Sequence, residues 1–221
     1  MSIAEKLTQI AENQEKVYEA GKEEAWQYVA QLRTTFSGAT FPSGYELAIS
    51  VPGRNNATVN QFISGATGLR KLTITDSPIA EVSSYFAFCQ CADLEEIDFS
   101  NFVQGGGAVV VTDASYLFYG NTNLRAVYGE LDFSAGVNLS SAFSNCKALE
   151  EIQIKAGTLN KDATFAPCSK LSDASRQSIV DGLADLTGQT TQTITFHKDV
   201  YDKLTEAQRA TITAKNWEVK H

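Results

Sequence analysis

The sequence predicts an α/β protein in which short strands recur at a nearly regular interval. Three observations support this prediction: an apolar motif that occurs five times, alternating apolar positions within its copies, and helical periodicity near both ends of the chain. The 221 residues are 43% hydrophobic and 20% charged, which is sufficient for a sizeable core. The net charge of −8 argues against a nucleic-acid-binding surface.

The copies of the motif share a leucine six residues after their start and the pattern L-x-x-[LIV]-x-[IF]. They begin at Ile63, Phe88, Phe118, Phe143 and Phe165, and their leucines are Leu69, Leu94, Leu124, Leu149 and Leu171. The starts are 25, 30, 25 and 22 residues apart. This interval and pattern predict a leucine-rich-repeat solenoid of about five coils, each with one short strand and one turn. Two copies depart from the pattern: Gly129 replaces an apolar residue, and the fifth copy lacks its strand half.

Charged residues provide a check on the register of this alignment. Stacked strands place equivalent residues about 4.8 Å apart, so like charges at one position would repel. The seventh and eighth residues after the starts are Arg70 and Lys71, Glu95 and Glu96, Arg125 and Ala126, and Glu150 and Glu151. The signs alternate from copy to copy, which supports the alignment.

Residues 1–35 are predicted to form an amphipathic helix, with Ser2 and Glu5 as a capping box. Its apolar stripe indicates either docking onto the rest of the chain or a short coiled coil with other copies, and both alternatives stay open. The solenoid is assigned to residues 36–171, beginning with a connector and a first strand near residues 47–51.

Residues 172–221 are predicted to form an α/β cap, because the end of a solenoid exposes apolar core and an unpaired strand edge. The cap is expected to begin with a helix that ends at Gly188. A strand with the sequence TQTITF follows, then a helix opened by Thr205 and Gln208. A last short strand is expected from Trp217 to Val219.

The copies FYGNTNLRAV and FSNCKALEEIQI resemble the bacterial surface leucine-rich repeats of the BspA type, which read F-x-x-C-x-x-L-x-x-[IV]-x-[IL]. The resemblance covers about residues 59–171, and the flanking segments are similar to those around such repeats in phage- and prophage-encoded proteins. It implies an extracellular or virion-associated recognition surface and carries over no catalytic residue. The spacing of 30 residues departs from the usual repeat length.

Three cysteines stand three residues after the start of a copy: Cys91, Cys146 and Cys168. The equivalent residues elsewhere are Ala66 and Asn121, so a small buried side chain in a tight turn explains the position. A disulfide between stacked coils and a metal site that includes Cys89 are alternatives. The spacings are not those of a zinc site, and no metal or cofactor is predicted.

Other candidates for catalysis have simpler explanations. The pairs Glu95/Glu96 and Glu150/Glu151 resemble the paired acids of glycosidases, but the charge alternation already accounts for them. His197 follows a predicted strand and is expected at the surface or at a sheet edge. The glycines at 105–107 run into a strand and predict a turn rather than a phosphate-binding loop. No catalytic residue is therefore predicted.

The tenth residue after each start is expected to face outward from the solenoid, and this position forms a candidate ligand-binding stripe. Its members are Thr73, Asp98, Tyr128 and Gln153, with Thr195 as a candidate extension. Solenoids use such stripes for recognition. The sequence therefore predicts a non-enzymatic recognition or adhesion module that presents a repeat surface to a protein or a glycan.

Two alternatives to this function stay open. One is a structural component of a phage or prophage particle, assembled as a homo-oligomer through the N-terminal helix; the other is a glycan hydrolase. No apolar run approaches the about 18 residues that span a bilayer, so no membrane insertion is expected. The N-terminus is polar where a secretion signal would be apolar, so the extracellular or virion-associated location rests on the resemblance alone.

Overall fold

A computed structural model describes residues 36–50, 62–75, 81–83, 88–100, 108–137, 139 and 141–221. This part of the chain is a mixed α/β structure with ten strands and three helices. The predicted N-terminal helix and the glycines at 105–107 lie outside the described residues.

The strands are β1 (Thr40–Ser50), β2 (Thr67–Thr75), β3 (Glu81–Ser83), β4 (Glu96–Asp98), β5 (Ala108–Asp113), β6 (Ala126–Asp132), β7 (Glu151–Ile154), β8 (Ala163–Phe165), β9 (Gln192–Phe196) and β10 (Trp217–Lys220). The helices are α1 (Asp173–Gly182), α2 (Lys198–Tyr201) and α3 (Glu206–Ala214). None of these helices has the length and hydropathy needed to cross a bilayer.

The strands form two sheets, and each pairing between the described strands is parallel. The larger sheet has the order β1-β2-β4-β6-β5-β3, with β7 also paired to β6, and the smaller has the order β10-β9-β8. Strand β6 pairs with two strands along the same edge. Its first half pairs with β4, through Ala126 and Glu96, and its second half pairs with β5, through Glu130 and Ala108. The residues that lengthen the second interval thus add strand β5 to the sheet.

Copies of the motif stack in the predicted register. Leu69, Leu94, Leu124 and Leu149 are fully buried. The residue after each leucine continues a backbone ladder: the amides of Glu95, Arg125 and Glu150 donate to the carbonyls of Arg70, Glu95 and Arg125, each at 2.8 Å. The ladder confirms the alignment of these four copies.

A column of phenylalanines runs through the core and shows the same stacking. Ring centroids are 6.0 Å apart for Phe88 and Phe118, 5.6 Å for Phe118 and Phe143, 4.7 Å for Phe143 and Phe165, and 6.3 Å for Phe165 and Phe196. Rings at these distances add aromatic attraction to the area that they bury. Strand β9 of the C-terminal region therefore continues the column that the repeats begin.

The segment that begins at Phe36 stacks on the first predicted copy in the same way. The Phe36 amide donates to Phe62 O at 3.0 Å, and the Gly38 amide donates to Ser64 O at 2.8 Å. Beyond them, Leu47 of β1 pairs with Leu72 of β2. The predicted first strand is confirmed, but it belongs to a further repeat-like segment that the motif does not reveal, because irregular register around Tyr45 breaks the spacing.

A serine-bearing helix covers the outer edge of β7. The amide of Ile152 donates to Ser175 Oγ at 2.9 Å, and the amide of Ile154 donates to Ser178 Oγ at 2.8 Å. Both serines lie on α1, whose N-cap is Ser172. Hydroxyl groups thus take the place that the carbonyls of a next strand would occupy, which satisfies amides that burial would otherwise leave unpaired.

The predicted end of the first C-terminal helix was wrong. Helix α1 ends at Gly182 rather than Gly188, and Leu183 leaves it in an extended conformation to pair with Leu159. A Cβ on Gly182 would lie 2.6 Å from the Ile154 side chain, so close packing on β7 explains the glycine. Lys215 Nζ donates to three carbonyls at the C-terminus of the helix, at 2.7–3.2 Å, and so satisfies acceptors that have no partner within the helix.

The remaining C-terminal elements agree with the prediction. TQTITF contains β9, the Thr205–Gln208 capping box opens α3, and the last strand is β10. The short helix α2 was not predicted. Buried apolar residues from Phe36 to Trp217 form one core across the described part of the chain.

Candidate functional site

The structure brings three of the four predicted stripe residues together. Thr73 of β2 pairs in register with Asp98 of β4, and Asp98 pairs with Tyr128 of β6. Their outward orientation follows from strand alternation, because the residues on either side, such as Leu72 and Ile97, are buried. Tyr128 is 39% exposed. Among the described residues, it is the one large hydrophobic side chain that is exposed.

A bulge in β6 determines how Tyr128 is presented. The register shifts between Val127 and Glu130, so Tyr128 and Gly129 both fall in the interval between Ile152 and Gln153 of β7. Gly129 has a φ of 92°, and a Cβ there would lie 2.8 Å from the Phe99 carbonyl carbon. Glycine is therefore required at this bend, and the two extra residues alter the local twist next to the tyrosine.

The bulge also changes the neighbour of the fourth stripe residue. Gln153 is exposed, but it pairs with Glu130 rather than with Tyr128. Glu130 is exposed as well, and neither side chain has a hydrogen bond or an ion pair with another described residue. Sequence reasoning missed Glu130 because constant spacing was assumed; the glycine at a normally apolar position was the available signal.

Thr195 does not extend the stripe. It lies on β9, where it pairs with Thr164 and Lys220 in the smaller sheet. The helix α1 lies along the edge of β7, and β9 belongs to the other sheet.

The predicted alternation of charges is confirmed as a set of ion pairs beside the stripe. Arg70 pairs with Glu46 and lies 3.8 Å from Glu95, while Arg125 reaches Glu95 at 3.3 Å and Glu96 at 3.1 Å. Exposed pairs of this kind contribute about 0–1 kcal/mol each, so they specify register more than they add stability. They also leave Glu95 and Glu96 engaged with cations.

Lys71 connects these ion pairs to the stripe. Its ammonium lies 3.3 Å from Glu96, 3.6 Å from Asp98 and 5.9 Å from the centroid of the Tyr128 ring. Partial burial disfavours the Asp98 charge, but hydrogen bonds from Ser100 and the nearby Lys71 outweigh it and lower the pKa of this carboxyl. Asp98 is therefore ionised at neutral pH and held in place by Ser100, whose amide donates to Oδ1 at 2.9 Å.

The second acid pair is engaged differently. Glu151 accepts hydrogen bonds from the hydroxyls of Ser172 and Ser175, at 3.1 and 3.3 Å. Glu150 forms no ion pair with the described residues, and its charge contributes to raising the pKa of Arg125 after Glu95 and Glu96.

The buried cysteines are explained by packing. Cys91 Sγ donates to Ile63 O at 2.8 Å and Cys146 Sγ donates to Phe118 O at 3.1 Å. Asn121 makes the equivalent bond, with Nδ2 donating to Phe88 O at 2.5 Å. Burial raises the pKa of both thiols to about 12, so they stay protonated and are poor nucleophiles or metal ligands at neutral pH.

The four cysteines are free thiols. In the described part of the chain, no three histidine, cysteine or acidic side chains are grouped closely enough to hold a metal ion. His197 follows β9 and caps α2, where its Nδ1 accepts from the Asp199 amide at 3.2 Å. Its position thus has a local structural explanation.

Comparisons with known proteins identify no relative of the chain. The chain matches no protein family, and searches of curated proteins and of solved structures return no match.

Proposed function

We propose that the chain is a non-enzymatic recognition module whose ligand, a protein or a glycan, binds the outward face of the larger sheet. The observation that carries the proposal is the exposed Tyr128 ring, presented by a bulge beside an oriented, ionised Asp98. Exposed aromatic side chains next to fixed polar groups are typical of recognition surfaces.

The proposal includes an architecture: a BspA-type leucine-rich-repeat solenoid of five coils, preceded by the segment from Phe36. The backbone ladder through Arg70, Glu95, Arg125 and Glu150 supports it. Such a ladder holds the backbone in one conformation, so binding would cost little ordering entropy. An extracellular or virion-associated location is part of the same proposal.

A non-enzymatic role is supported by the state of three of the four candidate acids. Glu95 and Glu96 contact Arg125, and Glu151 accepts from two serines. A glycosidase needs one carboxyl that is protonated and free to donate to the leaving oxygen. None of these three engaged carboxylates fits that role.

The test is a binding screen of the full chain against arrays of purified surface proteins and oligosaccharides. For each ligand found, Tyr128→Ala is expected to weaken binding at least about tenfold while the melting temperature stays within about 2 °C. Glu206→Ala, at an exposed position on α3, is the matched control and should leave binding unchanged.

Two results would contradict the proposal. One is a set of ligands that all bind Tyr128→Ala as tightly as the wild type. The other is turnover of an oligosaccharide that disappears in Glu96→Gln, which would establish the hydrolase alternative instead.

A further inference from the structure

The chemistry of the face around Tyr128 indicates what kind of ligand it takes. Glu130 follows the bulge, and both Tyr128 and Glu130 are exposed between the buried Val127 and Leu131. Gln153 pairs with Glu130 across β6 and β7. A ring, a carboxylate and an amide therefore lie on one exposed part of the sheet.

The face around Tyr128 has an excess of negative charge. The cations beside the stripe, Arg70, Lys71 and Arg125, each contact at least one carboxylate. On the downstream side, Glu130 has no ion pair with the described residues and Gln153 has no hydrogen bond with them. Among the described residues, the face thus has an unused negative charge and no unused cation, which disfavours sulfated, sialylated or phosphorylated ligands and favours a cationic group.

The Tyr128 ring already has a cation as its neighbour. Lys71 Nζ lies 5.9 Å from the ring centroid, which is within the range of cation–π attraction. The ring itself is only partly covered, since 39% of the residue is exposed. A planar guanidinium suits the remaining surface better than an ammonium does, because it can stack on a ring and pair with a carboxylate through two N–H groups at once.

We infer that this face receives an arginine of a protein partner, whose guanidinium stacks on Tyr128, pairs with Glu130 and donates to the side-chain carbonyl of Gln153. The inference rests on the proposed function and selects a protein over a glycan as the ligand. Asp98 and Glu96 are already paired with Lys71, so Glu130 is the carboxylate assigned to the incoming charge.

The experiment is a titration of the isotope-labelled full chain, followed by the backbone amide signals of Tyr128, Glu130 and Gln153. The probe is a ten-residue peptide of alternating glycine and arginine. A peptide with citrulline in place of arginine is the matched probe, because citrulline keeps the planar shape and loses the charge. The arginine peptide is expected to shift the three signals at up to about 5 mM, and the citrulline peptide is not.

Variants separate this site from general attraction to an acidic protein. Glu130→Gln and Tyr128→Ala are each expected to weaken the arginine peptide about fivefold. Glu206→Gln removes an exposed charge from α3 and should change binding little. The inference is overturned if the citrulline peptide binds equally well, if Glu206→Gln weakens binding as much as Glu130→Gln, or if the three signals do not move.

Failure of the inference can be distinguished from failure of the proposed function. If an oligosaccharide or another protein shifts the Tyr128 signal while the arginine peptide does not, the arginine inference is wrong and the recognition face stands. If no ligand loses affinity in Tyr128→Ala, both are wrong.

Discussion

Gln90 has a left-handed backbone at a position where three of the four equivalent segments have glycine. The residue two positions after a segment's start has a φ between 57° and 79° in five segments: Gly38, Gly65, Gln90, Gly120 and Asn145. Left-handed backbone costs a residue with a Cβ about 1–2 kcal/mol, whereas glycine adopts it freely and asparagine more readily than most. The turn therefore carries strain at Gln90.

Replacing Gln90 by glycine is expected to stabilise the protein by about 0.5–1 kcal/mol, after the greater freedom of glycine in the unfolded chain is subtracted. Urea unfolding measures the change. Asn145→Gly is the matched comparison and should gain less, because asparagine already tolerates this conformation. A Gln90→Gly variant that is no more stable than the wild type would show that the turn is unstrained.

At the residue scale, the sequence predicted which positions are equivalent, but not why one such position accepts both cysteine and asparagine. The alignment placed Asn121 with the cysteines at one buried turn position. It could not show that a thiol and an amide make the same hydrogen bond to the preceding segment's first carbonyl. That bond depends on the separation of the stacked turns, which the spacing of apolar residues does not specify.

Among the elements, the bulge of β6 has the greatest effect on the candidate site. Val127 pairs with Ile152 and Leu131 pairs with Ile154, so four steps along β6 match two along β7. Gly129 absorbs the excess with its positive φ and its close approach to Phe99.

Gly129→Ala is expected to cost at least about 2–3 kcal/mol, because the new methyl group would overlap the Phe99 backbone in addition to straining φ. Chemical denaturation measures the loss. Gly157→Ala is the matched control: its φ of 72° is also positive, but no atom lies within 4 Å of the added Cβ. It should cost only about 1 kcal/mol, and an equal cost at both glycines would refute the steric explanation.

The pattern of elements was predictable where a local signal existed. The Thr205–Gln208 capping box and the alternation in TQTITF identified α3 and β9. The end of α1 was misplaced because Gly188 is in a suitable position for a cap, while the glycine that matters, Gly182, is needed for packing against Ile154. Strand β5 agrees with the strand predicted after the glycines at 105–107, but its partners were beyond prediction, since a longer interval shows that residues are added and not which strand they pair with.

At the scale of the whole molecule, one apolar core of described residues joins the repeats to the C-terminal elements. The four cysteines lie within this structure and are fully buried, and burial raises the pKa values of their thiols. Their reaction with a thiol reagent therefore requires opening of the stacked turns.

The native protein is expected to show no thiol that reacts within minutes with an aromatic disulfide reagent at neutral pH. All four cysteines should react once the chain is unfolded in about 6 M guanidinium chloride. In Gly129→Ala, slow labelling of the native protein should accelerate about tenfold for each 1.4 kcal/mol of stability that is lost. Rapid reaction of any thiol in the wild type would show that the turns open independently of the core.

The serine hydroxyls that cover β7 have a consequence for how such a protein can change in length. Because Ser175 and Ser178 occupy the places of a following strand, the larger sheet ends at β7 against a helix that is matched to that strand. A duplicated unit of about two dozen residues can enter ahead of β7 without disturbing this terminus, whereas one inserted behind it would separate the helix from its amides.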